Sequence, residues 1–154
     1  MSWTWNRKPL AILLVGLAVL AGCGGPYDSS VTGIVTLDSQ PLTLGTVAFF
    51  PSAGGPPAYG QVQSDGSYEV RTGREDGLKS GEYQITVVAN ERPTVAQSPN
   101  GGPPPPGKPI TPIWYRTVDS SGLNFTVAPG SNDIPLDLTS QPPAGWQPRG
   151  GRRR

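Results

Sequence analysis

The stretch VTGIVTLDSQPLTLGTVAFFP, residues 31–51, decides the fold. In VTGIVTLD, Val31, Val35 and Leu37 fall on one face with Gly33, while Thr32, Thr36 and Asp38 fall on the other. That is a period of two, the signature of a strand with one buried face. Ile34 is the apolar exception on the outer face. SQPL then reads as a turn, with Pro41 fixing φ. GTVAFFP is a second strand, with Val47 and Phe49 on one face and Phe50 on the other.

The same alternation recurs downstream. AYGQVQSDGSYEVRT reads as two strands joined at Asp65-Gly66 by a two-residue hairpin turn, with Tyr68 and Val70 facing inward. In GEYQITVVA, Tyr83, Ile85 and Val87 point in and Glu82, Gln84 and Thr86 point out. SGLNFTVAPG places Leu123, Phe125 and Val127 on one face, and NDIPLDL does the same with Ile134, Leu136 and Leu138. Pro135 cannot donate to a ladder, so the last strand lies at an edge or bends there. Between Asn90 and Pro112 the prolines leave no apolar period, which predicts a long loop of polyproline character. Seven short strands, turn signals between them and no helical period predict an all-β fold, a seven-stranded antiparallel β-sandwich.

Composition narrows function by exclusion. The 154 residues contain no histidine and one cysteine. Ser-His-Asp and Cys-His catalysis, imidazole metal sites, thiolate zinc cages and intramolecular disulfides are thereby removed. From Gly24 to Pro148 there are 6 basic and 11 acidic residues, a net −5. An acidic body argues against a nucleic-acid partner. Arg149, Arg152, Arg153 and Arg154 make the end of the chain basic, either a solubilising tail or a grip on anionic headgroups and other polyanions.

The single cysteine is Cys23, in LAGCGG. It follows Arg7 and Lys8 and an apolar run from Leu10 to Leu20. Eleven residues at about 1.5 Å each reach only ~17 Å, short of a ~30 Å hydrocarbon core, so the run fits the h-region of a secretory signal. A small residue before a cleavage point and a thiol just after it suit peptide cleavage and thioether formation. LAGC, residues 20–23, resembles a bacterial lipobox. The resemblance implies removal of residues 1–22 and lipidation of Cys23 by diacylglycerol and an N-acyl chain. More than one chain anchors stably, at ~0.8 kcal/mol per buried CH₂. The alternatives are an ordinary signal peptide with an incidental cysteine, or a short uncleaved anchor. Gly24 stands where the inner-membrane retention signal has aspartate, which points to the outer membrane where the cell has one.

The β region resembles the carboxypeptidase-regulatory-like, or transthyretin-like (prealbumin-like), domain. That opening reads V-x-G-x-V, a D-G-x-P-L turn, then G-x-V-x-F-x-P. It is matched here by Val31, Gly33, Val35, Asp38, Pro41, Leu42, Gly45, Val47, Phe49 and Pro51. Ser39 replaces the turn glycine. SDGSYEV matches the D-G-x-F hairpin through Asp65, Gly66 and Tyr68, and GLKSGEYQITV the following strand through Leu78, Gly81, Tyr83, Ile85 and Val87. Pro112, Tyr115, Ser121, Leu123 and Val127 fit the end of small lipoproteins that carry this domain, although Thr111 stands in place of an isoleucine. The resemblance covers Ser30 to Leu138 and implies a sandwich without peptidase activity. The organisation expected is a signal peptide at 1–22, a lipidated tether at 23–29, a β-domain at 30–138 with a proline-rich loop at 90–112, and a disordered Arg-rich tail at 139–154.

Few residues are candidates for chemistry. Asp65 could contribute to a calcium site with Glu75 or Asp76, but one turn carboxylate is far short of six to eight oxygen ligands. Asp119, Asp133 and Asp137 could form a glycosidase pair only if two of them faced one cleft at ~5–10 Å. Trp114 and Tyr115 follow the proline-rich loop; on a strand they cannot both face one core, and an exposed ring would stack on a sugar or other flat ligand. The alternative is that Trp114 packs over a sheet edge. Hydroxyisourate hydrolases of transthyretin-like fold rely on histidines and a C-terminal Tyr-Arg-Gly-Ser, whereas Tyr115-Arg116 is followed by Thr117 and there is no histidine. The expectation is a non-enzymatic envelope lipoprotein acting as a binding or structural module, with no metal or cofactor. It would be anchored on the non-cytoplasmic side through Cys23 and have an envelope protein or a glycan as partner. A carbohydrate-binding or adhesion module is the alternative, and a carboxylate-based hydrolase a more distant one.

Overall fold

The computed structural model describes Met1, residues 25–93 and residues 101–147. The described chain is all-β apart from two single turns of helix. Ten strands form: β1 (Ser29–Leu37), β2 (Gln40–Pro41), β3 (Gly45–Pro51), β4 (Ala58–Val62), β5 (Ser67–Thr72), β6 (Glu75–Asp76), β7 (Gly81–Val88), β8 (Leu123–Val127), β9 (Gly130–Asp133) and β10 (Leu136–Leu138). Seven of them lie along one hydrogen-bonded path in the order β10-β1-β5-β4-β3-β7-β8. These are the seven segments that alternate in sequence. Of the remaining three, β2 and β6 have two residues each, too few to show a period, and β9 shares Asn132 and Asp133 with NDIPLDL.

β1 displays the alternation most clearly. Val31 and Val35 are fully buried with Gly33 between them, while Ile34 on the other face is half exposed. The inward faces of β3 and β7 add Val47, Phe49, Ile85 and Val87, all at 0% exposure. Phe49 is the centre of an aromatic group, 6.3 Å from Tyr68 and 6.0 Å from Tyr83 between ring centroids. The sheet curls around this core.

Gly33 is required by packing. It pairs directly with Tyr68 across β1 and β5. A Cβ on Gly33 would lie 2.1 Å from the Ile134 carbonyl oxygen and 2.9 Å from the Tyr68 ring. On the other neighbour of β5, a Cβ on Gly60 would lie 3.1 Å from the same ring. Tyr68 therefore occupies a slot between two glycines, and its hydroxyl donates to the Ile134 carbonyl at 2.6 Å.

Pairing between strands is antiparallel except at β1, where β9 and β10 both run parallel to it. The expectation of a purely antiparallel arrangement is corrected there. Ser29–Thr32 pair with β9 and Val35–Leu37 with β10, and the interruption falls at Ile134-Pro135, where proline has no N–H to give. The hairpin after β4 also differs from expectation. Gly66 N–H bonds to the Gln63 carbonyl and Gln63 N–H to the Ser67 carbonyl, which makes a three-residue loop with Gly66 at φ +87°. The two-residue positive-φ turn lies instead at Asp38-Ser39, between β1 and β2, at φ +50° and +67°.

From β1 to β7 the path takes four antiparallel steps, so β1 and β7 run in the same direction. The entry end of the molecule carries Ser29 and Gly81; the far end carries Leu37 and Val88. No helix among the described residues is long and apolar enough to cross a membrane.

Candidate functional site

Cys23 lies outside the described residues. Trp114 and Tyr115 stand at the far end, on a 3-10 turn spanning Ile113–Arg116. Pro112, at ψ 150°, enters the turn extended, and the Tyr115 N–H closes it on the Pro112 carbonyl at 3.2 Å. A strand would have sent the two rings to opposite faces. The tighter turn rotates about 120° per residue and lets both pack inward. Trp114 is 8% and Tyr115 6% exposed, and Ile113 takes the solvent position at 63%.

The two rings are 6.0 Å apart. Tyr115 Oη accepts from the Thr139 N–H at 3.2 Å, which ties the turn to the strap that leaves β10. The strap then doubles back. Gly145, at φ +81°, supports a turn closed by Trp146 N–H on the Pro143 carbonyl at 3.0 Å. Trp146 meets Trp114 edge-to-face, with centroids 5.0 Å apart and planes at 63°. The sequence offers no local sign of this contact, because Trp146 lies in a stretch without period. Residues 148–154 of the expected tail, all four arginines included, lie outside the described residues.

The proline-rich loop springs from the same end. Asn90 bridges to Pro109, Glu91 N–H bonds to the Lys108 carbonyl at 2.8 Å, and Ile110 N–H to the Ala89 carbonyl at 2.9 Å. Thr111, 1% exposed, accepts the Ala89 N–H on its hydroxyl at 3.0 Å. A hydroxyl there makes a bond that isoleucine could not. Residues 94–100 lie outside the described part, and Pro103–Pro106 are exposed.

The entry end holds two clefts that the sequence did not point to. One, of about 570 Å³, is open and acidic, lined by Asp28, Glu75 and Asp76. The second, of about 290 Å³, lies among Tyr27, Tyr83, Pro51, Pro56 and Lys79. Asp28 stands in the wall of the first, and its two oxygens accept from Ser80 N–H at 2.7 Å and Ser80 Oγ at 2.6 Å. These bonds hold its carboxyl below the usual carboxylate range.

Three further carboxylates are engaged locally. Asp65 accepts from the Ser67 N–H and hydroxyl, Asp76 pairs with Arg71, and Asp137 accepts from Thr36 Oγ1 at 2.7 Å. Asp133 stands on β9 and Asp119 in the helical turn Val118–Ser121. Among the described residues no group of three His, Cys, Asp or Glu side chains could hold a metal ion. No known family model matches the chain, and no curated protein sequence is significantly similar to it.

Proposed function

We propose that the chain is a lipid-anchored protein of the cell envelope whose β-domain, a transthyretin-like sandwich, works by binding and not by catalysis. The observation that carries this reading is LAGC at residues 20–23, placed directly behind a basic start and an apolar run from Leu10 to Leu20. The domain is compatible with such an anchor. Residues 25–28 lead straight into β1 at the entry end, so an anchored Cys23 leaves the opposite end facing away from the membrane. The sandwich reading is supported by the residues of the opening motif, which have structural roles. Gly33 makes room for Tyr68, Asp38-Ser39 form the turn, and Leu42 enters the core. A binding role is supported by the far end, which carries the Trp114–Trp146 pair and from which the loop with the exposed proline tract springs.

The test is intact-mass measurement of the protein from its native membrane beside Cys23→Ala. The expected result is a chain starting at Cys23 with the mass of diacylglycerol and one further acyl group, lost in the variant together with membrane retention. A wild-type chain without lipid, as soluble as the variant, overturns the reading.

A further inference from the structure

Among the described residues, the indole N–H of Trp114 is the one buried side-chain polar group without a hydrogen-bond partner. A buried donor in that state is costly, and its presence in an otherwise satisfied core asks for an acceptor supplied from outside. The strap packs on the same side chain, with the Trp146 ring edge-to-face on the Trp114 ring at 5.0 Å. Of residues 139–147 only Trp146 is other than exposed. Beyond Ser140, whose N–H bonds to Asp38, no hydrogen bond ties the strap to the rest of the described chain. Trp146 is thus the strap's one partly buried residue among the described ones, and its ring rests against Trp114.

The same end carries the four exposed prolines, Pro103–Pro106. They have no N–H to satisfy, and their carbonyls accept no hydrogen bond within the described chain. A polyproline segment presents flat apolar rings alternating with strong carbonyl acceptors, and it loses little entropy on docking against aromatic side chains. That chemistry matches what Trp114 lacks: a ring to replace Trp146 and a carbonyl for the indole N–H.

We propose that Trp114 is the docking site for the Pro103–Pro106 tract of a second copy of this chain, and that Trp146 is an intramolecular latch over it. Site and tract lie at one end, so two copies related by a two-fold axis exchange tracts in a closed pair. The proposal rests on the binding-module reading but not on the lipid anchor. Loss of the anchor would appear in the mass of Cys23; loss of the docking site would appear in the indole resonance of Trp114.

The experiment uses the full chain in detergent and a peptide of residues 101–108, GGPPPPGK, as probe. The peptide is expected to shift the Trp114 indole ¹H–¹⁵N resonance and to bind Trp146→Ala about tenfold tighter than wild type. Trp114→Phe in the Trp146→Ala background keeps a ring without the donor and is expected to bind about tenfold more weakly than Trp146→Ala alone. By sedimentation, Trp146→Ala is expected to dimerise with rising concentration, and replacing Pro103, Pro104, Pro105 and Pro106 with serine is expected to restore the monomer. The proposal is overturned if the peptide leaves the indole unmoved, or if Trp146→Ala binds it no tighter than wild type. It is equally overturned if an oligosaccharide moves the resonance and the peptide does not, or if dimers persist with the four serines. Should Trp114→Phe fail to fold, the Trp146→Ala and serine variants decide alone.

Discussion

Single residues carry much of this fold's specificity. A methyl group on Gly33 would overlap the Ile134 carbonyl oxygen, a backbone atom held in the ladder beside β1. Gly33→Ala should therefore cost about 3 kcal/mol, read from the midpoint of denaturant unfolding. Ser39 is the converse case. It sits at φ +67°, where a Cβ is strained and glycine is not. Ser39→Gly should raise stability by about 1 kcal/mol in the same assay. The period of two could be read directly from the residues, and so could the place of Gly33 on the inner face of the first strand. The Tyr68 slot that explains Gly33 could not, because its floor is Ile134, a hundred positions downstream. Nor could the 3-10 turn at Ile113–Arg116: four residues are too few to show a helical period, and Trp114-Tyr115 reads equally well as a strand end.

At the scale of elements, three exposed aspartates fasten connections. Asp28 holds the entry segment to the loop before β7 through Ser80, Asp38 holds the first turn to the strap through the Ser140 N–H, and Asp65 braces the β4–β5 loop through Ser67. In each the hydrogen bonds keep the carboxyl below its ordinary pKa: those of Ser80 for Asp28, Ser140 for Asp38 and Ser67 for Asp65. A depressed folded-state pKa contributes stability above the unfolded value, near 3.9, and loses it as pH falls through the folded one. Melting temperatures should accordingly fall below about pH 4, and the fall should be shallower in a chain with asparagine at 28, 38 and 65. Tyr68 acts at the other extreme. Burial first, then the charge of Asp133, raises its phenol well above the ordinary value near 10. That stability is fully present below the unfolded pKa and is lost as the phenol ionises at higher pH. Alkaline unfolding should begin above about pH 10 and shift in Tyr68→Phe, followed by circular dichroism. The seven strands of the path were legible because each lies in an alternating segment, the three-residue β10 as the end of NDIPLDL. β2 and β6 were not, since a pairing of two residues is decided by its partner and not by its own pattern, and β9 was not read apart from NDIPLDL, whose first two residues it shares.

Across the whole molecule the decisive feature is polarity along the strands. β1 spans nine residues, about 30 Å at ~3.3 Å each, between the end where the chain enters and the end where Trp114 and the proline tract stand. If Cys23 is lipidated, a fluorophore at Pro104→Cys should escape a quencher placed in the bilayer, whereas one at Gly54→Cys, beside the entry-end cleft, should be strongly quenched. Equal quenching at both sites would remove the end-on arrangement. This geometry was not legible beforehand, because it depends on the number of antiparallel steps between β1 and β7.

The parallel pairing of the domain's first long strand with its last also bears on the order of events at birth. Thr32 meets Glu69 on β5 early in synthesis, but Val35 must wait for Leu136. A chain delivered amino-terminus first cannot seal β1 until nearly all of it has emerged, and pairings so distant in sequence form slowly. An enzyme acting at Cys23 while the chain is still emerging would therefore meet an open, pliable chain. The last strand is the timekeeper of the domain: truncation before Leu136 should leave a long-lived, protease-sensitive intermediate whose first strand has no neighbour on that side.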